Sequence, residues 1–176
     1  MGKLVADLLR LAKYSKIELK LGRVDLSKMA LGLGEDLREG WPGRSVEFTV
    51  QPGIEVEGDE NLLHVVLENL LGNAWKFTSK LEKARIEFGS AVEADGTTAY
   101  YVRDNGAGFE MKLAEKLFTP FQRLHEEHDF TGSGIGLATV ARVVSRHGGR
   151  MWCVAEPNNG AAFYFTLPGA LSNPRA

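Results

Sequence analysis

Seven of the chain's 20 glycines fall within 44 consecutive positions: Gly106 and Gly108, then Gly132, Gly134 and Gly136, then Gly148 and Gly149. Glycine is favoured where the backbone needs positive φ or must approach another group closely. The clusters stand where strand-like periodicity stops and where helical periodicity starts or ends. Glycines gathered at such junctions mark a site; scattered ones would mark only turns.

Between the glycines the chain alternates two periods. Leu4, Val5, Leu8, Leu9, Leu11 and Ala12 recur at helical spacing, so an amphipathic helix is expected from about residue 3 to 20. Asp25 is placed to cap a second helix, Leu26 to Arg38, which the Gly40-Trp41-Pro42-Gly43 cluster ends. Ser45–Val50 alternates with period two, and Pro52-Gly53 is expected to turn it into a short strand over Ile54–Glu57. Asp59 caps a long helix, Glu60–Phe77, with Leu63, Val66, Leu67, Leu70, Leu71 and Ala74 as its apolar stripe. Ala84–Ser90 and Thr97–Arg103 are strands joined by the hairpin signal Asp95-Gly96.

A short helix follows around Met111–Leu117. Phe118–Gly132 has little periodicity and reads as a long loop, of a length that is commonly a functional lid or a disordered segment. Gly134–His147 is a helix stopped by Gly148-Gly149, and Arg150–Ala155 and Ala161–Leu167 are the last strands. The expected fold is an α/β two-layer sandwich, a mixed and largely antiparallel sheet packed against helices. The N-terminal helix is expected partly over the other sheet face.

The chain is 44% hydrophobic and 25% charged, enough apolar content for a real core. Lysine plus arginine total 21 against 23 for aspartate plus glutamate, and a net charge of −2 gives no electrostatic case for nucleic acid. A lone cysteine, Cys153, excludes an internal disulfide framework and suits a reducing, cytoplasmic setting. No apolar run is long enough for a membrane span, so no membrane contact is expected.

Three constellations carry chemistry. Asn69, Asn73 and Lys76 fall within about 60° of one another on the long helix, beside its apolar stripe. Two amides and an ammonium at a half-buried edge need partners, and a hydrated divalent cation with phosphates would satisfy all three. A solvated helix face is the alternative. Asp104-Asn-Gly-Ala-Gly-Phe109 ends a strand, where the aspartate can project into a pocket and Gly106 and Gly108 admit a flat ligand. Gly132-Ser-Gly-Ile-Gly136-Leu137 opens a helix whose exposed N–H groups suit an anion. The G-x-G-x-G spacing and the preceding loop disfavour a dinucleotide fingerprint, and no Walker A motif occurs.

In order and spacing these segments resemble the ATP-binding domain of sensor histidine kinases, the fold shared with gyrase, the mismatch-repair ATPase and a heat-shock chaperone. Leu67–Thr78 looks like that family's asparagine box, Asp104–Phe109 its first glycine box, Leu117–Leu124 its phenylalanine box and Thr131–Ala138 its second glycine box. Phe121-Gln-Arg-Leu-His125 is similar to kinases of the bacterial phytochrome and PAS-linked kind.

The resemblance implies roles. Asn69 and Asn73 would hold Mg²⁺ on the phosphates of ATP, and Lys76 would contact phosphate. Asp104 would accept from the adenine amino group, with Gly106 and Gly108 shaping its pocket. Gly132, Ser133, Gly134, Gly136 and Leu137 would border the triphosphate, and Phe118 and Phe121 would anchor the lid. Glu68 stands where the family often has a polar residue with a part in phosphotransfer.

The family's phosphoacceptor is a histidine followed by an acidic residue on a dimerising hairpin, and His64, His125, His128 and His147 do not match it. His147, at a helix end, suits a cation beside the dipole. Residues 1–22 look like the end of that hairpin's second helix, with the leucine stripe Leu4, Leu8 and Leu11 as its dimer face. Residues 23–168 would be the catalytic ATP-binding domain and 169–176 a flexible tail. The implied partners are the chain's own dimerisation domain, a second copy in the full-length homodimer, and a response regulator. Two alternatives stand beside this: a gyrase- or chaperone-like ATPase, against which Asn69 occupies the position of the hydrolytic glutamate, and a nucleotide-binding interaction module.

Overall fold

The computed structural model describes residues 2–121 and 132–168. In chain order its elements are α1 (Gly2–Lys16), β1 (Leu21–Asp25), α2 (Leu26–Gly40), β2 (Val46–Val50), β3 (Glu55–Asp59), α3 (Glu60–Phe77), β4 (Ala84–Val92), β5 (Thr98–Asp104), a 3₁₀ turn (Met111–Leu113), α4 (Ala114–Leu117), α5 (Gly136–Arg146), β6 (Met151–Ala155) and β7 (Ala161–Thr166). Most of the expected lid, with His125 and His128, and the tail from 169 lie outside the described residues.

The helix starts follow from local chemistry. Asp25 Oδ1 accepts the Lys28 amide at 2.8 Å, and Asp59 Oδ1 accepts the Leu62 amide at 3.1 Å, each satisfying a first-turn donor that has no helical partner. Leu63, Val66, Leu67, Leu70, Leu71, Ala74 and Trp75 of α3 are buried. They pack with Phe88, Val102 and Phe165 of the sheet in one core.

The main sheet has five strands in the order β2-β4-β5-β7-β6. Three of its four pairings are antiparallel, and the fourth, β2 with β4, is parallel. This is the mixed, helix-packed sandwich expected, with one connection differently made. The turn at Pro52-Gly53 does not close a hairpin. Instead β3 leaves the sheet and pairs antiparallel with β1, a strand without a sequence signal in the preceding link. Ser27 bridges this turn: its hydroxyl donates to Gln51 O at 2.6 Å and accepts the Ile54 amide at 2.9 Å. The polar groups that a hairpin ladder would use are thereby taken by the first turn of α2.

The N-terminal helix also departs from expectation. It ends at Lys16 and packs on the helical layer beside α5, not on the open sheet face. Arg146 donates from Nη1 to Tyr14 O at 2.6 Å and from Nη2 to Ile17 O, and Arg142 Nε donates to Ser15 Oγ at 3.1 Å. Arg146 thereby takes up carbonyls at and just beyond the C-terminal end of α1, where the helix leaves them unpaired, and Arg142 adds a bond to a hydroxyl of its last turn. Leu8 stays exposed and Leu11 is half-buried.

His147 differs too. Its Nε2 accepts the Asp59 amide at 3.0 Å while Nδ1 lies 2.9 Å from Val143 O. An acceptor at Nε2 means a neutral ring with the proton on Nδ1, so His147 serves as a cap on β3 and not as a helix-end cation. No helix among the described residues is long and apolar enough to cross a membrane.

Candidate functional site

The apolar stripe of α3 turns inward and leaves its flank facing a cavity of about 470 Å³ enclosed by α1, α2, α3, α5 and the end of β5. Glu68, Asn69, Asn73 and Lys76 line it from α3. Asn69 Nδ2 donates to Val65 O at 2.8 Å, which orients the carboxamide. Its Oδ1 faces the start of α5, where a Cβ added to Gly136 would stand only 2.6 Å away. Lys76 Nζ lies 4.4 Å from the centroid of the Phe77 ring, and a Cβ on Gly132 would come within 3.1 Å of that nitrogen. The glycine-rich segment therefore runs against both polar groups of α3. Side chains larger than hydrogen would fill the gap.

Asp104 occupies the last position of β5, paired with Ala161 of β7 and Ile86 of β4. It is 7% exposed, and burial pushes its carboxyl up to about 6, against the opposing hydrogen bonds from the Gly106 and Ala161 backbone. Gly106 N donates to its Oδ1 at 2.8 Å. A buried carboxyl with one oxygen held by the Gly106 amide, lying at the cavity wall, suits an uncharged hydrogen-bond donor such as an aromatic amine. Gly108, at φ +59, also lines the cavity, and a Cβ there would overlap the Glu156 carbonyl oxygen. Phe109, Leu117, Ile135 and Phe163 supply apolar walls beside Asp104.

Glu68, Asn69, Asn73, Lys76, Asp104, Gly108, Gly132, Ser133, Gly134, Gly136 and Leu137 thus converge on one cavity. Gly106, Phe118 and Phe121 do not line it. Gly106 is confined by backbone, since a Cβ would stand 2.5 Å from Phe77 O. Phe118 packs against the core, and Phe121, half-exposed at φ 67, donates its amide to Gly134 O at 3.1 Å. His64 is exposed on α3 and outside the cavity lining.

Several lining residues carry no signal in the sequence. Asp7, Arg10 and Tyr14 reach the cavity from α1, Leu37 from α2 and Trp41 from the position just after it. Their i, i+3, i+7 spacing on α1 is that of any solvated helix face. Only the docking of α1 on α5 brings them to the site.

Known proteins resemble this chain in sequence and in fold. A profile of the family described as histidine kinase-, DNA gyrase B- and HSP90-like ATPase matches residues 58–171. The adaptive-response sensory kinase SasA of Thermosynechococcus vestitus is 31% identical over 173 residues, 96% of this chain and 45% of that protein. Cyanobacterial phytochrome A of Nostoc sp. is 32% identical over 171 residues, 96% of this chain and 22% of that protein. The chain spans less than half the length of either relative. Among solved structures, full-length ShkA in complex with AMPPNP is similar at a TM-score of 0.77 and 29% identity, over 96% of this chain and 35% of that one. The mycobacterial sensor histidine kinase MprB follows at 0.70 and 28%, over 84% and 98%. The chain belongs to the histidine kinase-, DNA gyrase B- and HSP90-like ATPase family, as a catalytic domain of the histidine-kinase type.

Proposed function

We propose that this domain binds ATP with Mg²⁺ and delivers the γ-phosphate to a histidine on a dimerisation domain, as one step of two-component signalling. The observation that carries the reading is the pairing, in one cavity, of the buried carboxyl of Asp104 with the amide–ammonium line Asn69, Asn73 and Lys76. The carboxyl would accept from the adenine amino group, between the apolar walls of Phe109 and Leu117. Gly108 would let the ring lie against backbone. The phosphates would then run along α3 toward the exposed N–H groups at the start of α5, where a helix N-terminus favours negative charge.

The donor set fits the cation. Asn69 and Asn73 line the cavity with carboxamides, whose hard oxygens suit Mg²⁺, and the missing side chain at Gly136 keeps the start of α5 from displacing Asn69 Oδ1. When bound, Mg²⁺ would neutralise phosphate charge. Lys76 would hold a phosphate oxygen, and Ser133, Gly134 and Leu137 would close the phosphate wall. Glu68, exposed at the rim, would act on the incoming imidazole. Nitrogen attacks the γ-phosphorus as the bond to the bridging oxygen breaks, and ADP leaves; the protein's share is positioning and charge neutralisation. Phe118 and Phe121 would anchor the lid outside the cavity. The cognate partners would be the dimerisation domain, in a homodimer, and a response regulator, in the cytoplasm.

Calorimetry of the chain with ATP and Mg²⁺ tests the reading, and absence of any nucleotide affinity overturns it. Supplying a histidine-bearing hairpin in trans with labelled ATP should then produce acid-labile phosphate. Glu68→Gln should lower that transfer while leaving ATP affinity in place. Vigorous release of inorganic phosphate without the hairpin would favour a gyrase-like ATPase instead.

A further inference from the structure

The cavity has a wall that the asparagine, glycine and aspartate segments do not supply. Asp7 and Arg10 of α1 line it together with the glycine-rich start of α5. At the other end of the same helix, Arg146 and Arg142 clamp Tyr14, Ser15 and Ile17 to α5. α1 is therefore fixed on α5 at its C-terminal end while Asp7, Arg10 and Tyr14 line the cavity, and Arg10 is one turn before the anchored Tyr14. Among the described residues Arg10 and Lys76 are the two cationic side chains that line the cavity.

Three carboxylates, Asp7, Glu68 and Asp104, line the same space. Asp104 stands beside Gly106, whose neighbour Ala107 donates to Phe77 O at the C-terminal end of α3. α1, which carries Arg10, packs instead against α5, the element whose first residue meets Asn69 about two turns back along α3 from Phe77. A nucleotide with its base at Asp104 and its phosphates along α3 points its terminal phosphate toward α1.

We infer that Arg10 is a specificity-determining residue that contacts the terminal phosphate of a nucleoside triphosphate and so distinguishes tri- from diphosphate. This rests on the nucleotide reading above and goes beyond it, because no residue of α1 belongs to the asparagine or glycine segments. A guanidinium presents two parallel N–H donors to phosphate oxygens. A diphosphate ends one phosphate short and leaves Arg10 in solvent. The contact also ties α1 to the nucleotide state: triphosphate holds the helix at the cavity rim as well as at its anchor, and diphosphate leaves the anchor alone. Asp7, three residues earlier on the same face, acts with the opposite sign, since its carboxylate repels the added charge.

The test is calorimetry of the chain with ATP and with ADP, each with Mg²⁺, for the wild type and for Arg10→Gln, Arg10→Lys and Asp7→Asn. Arg10→Gln should weaken ATP by about tenfold, the loss of one charge-assisted contact, and leave ADP unchanged. Arg10→Lys should recover part of the ATP affinity, and Asp7→Asn should raise ATP affinity relative to ADP. Hydrogen exchange should show added protection at residues 5–12 with a non-hydrolysable ATP analogue and none with ADP. An unchanged ATP-to-ADP ratio in Arg10→Gln, with ADP still bound, overturns the inference and leaves the nucleotide reading standing. A wild-type chain that binds neither nucleotide overturns both.

Discussion

Gly136 and Asn69 are built against each other: the first residue of α5 sits so near the α3 amide that a single added carbon would stand 2.6 Å from Asn69 Oδ1. Because Asn69 Nδ2 is committed to Val65 O, the amide cannot rotate away without losing that bond. Gly136→Ala should therefore displace the carboxamide and lower Mg·ATP affinity at least tenfold, roughly the cost of one charge-assisted contact. Stability should change by less than about 1 kcal/mol, since alanine is the better helix former. Calorimetry beside urea denaturation separates the two effects, and undiminished affinity would remove Asn69 from the metal site.

Gly108 should behave differently. A Cβ at φ +59 would be strained and would overlap the Glu156 carbonyl oxygen, and Asn158 N donates to Ala107 O at 2.7 Å across the same turn. Gly108→Ala is expected to cost about 2–4 kcal/mol of stability, the range for a strained and overpacked site. A thermal or urea midpoint equal to wild type would show that this turn can shift.

Asp104 makes stability and binding depend on pH. Burial raises its carboxyl from 3.8 to about 6, so between those values the folded chain binds a proton that the unfolded chain does not. Stability without nucleotide should therefore be greatest below about pH 4 as far as this group is concerned, and fall as pH rises through 6. The loss is on the order of 1–3 kcal/mol. Asp104→Asn should remove the decline and stabilise the empty domain at neutral pH. The same substitution should weaken ATP binding sharply, and wild-type affinity should drop as pH is lowered through 6. Parallel denaturation and binding curves at pH 5 and pH 8 decide it, and coincident wild-type and variant profiles would count against the assignment.

Arg146 holds α1 at its C-terminal end through Tyr14 O and Ile17 O. Arg146→Ala should speed amide exchange in residues 8–17 at least tenfold while leaving exchange in α3 and β5 unchanged, because α1 adds little to the core. Equal protection in wild type and variant would mean that apolar packing, and not this clamp, seats the helix.

Much of this was legible locally. Asp25 and Asp59 are caps because a carboxylate before a helical period has orphan amides within reach. Asp95-Gly96 specifies the β4–β5 hairpin through φ +82 at Gly96 and the Thr97 amide bonded to Asp95 Oδ1 at 2.9 Å. The α3 stripe and the spacing of Asn69, Asn73 and Lys76 follow from helical period alone. Partner choice did not follow. Val46, Phe48 and Val50 alternate equally well for a hairpin with β3 or a parallel pairing with β4, and the bonds that accompany the observed choice come from afar, among them the Ser27 hydroxyl, 24 residues from Gln51.

By itself the sequence determined the helices, most strands, their caps and the glycine segments whose order identifies the family, since each rests on contacts within a few residues. Only the tertiary structure decided that β2 runs parallel to β4, that β1 and β3 form a separate pair, and that His147 is a neutral cap. It alone brought Arg10 and Asp7 to the cavity. Periodicity states which face of an element is buried but not against what, and a charged residue on a helix facing solvent has the same local pattern as one facing a cavity. The difference lies in two arginines of α5, more than 120 residues along the chain, that close on the backbone and serine of α1.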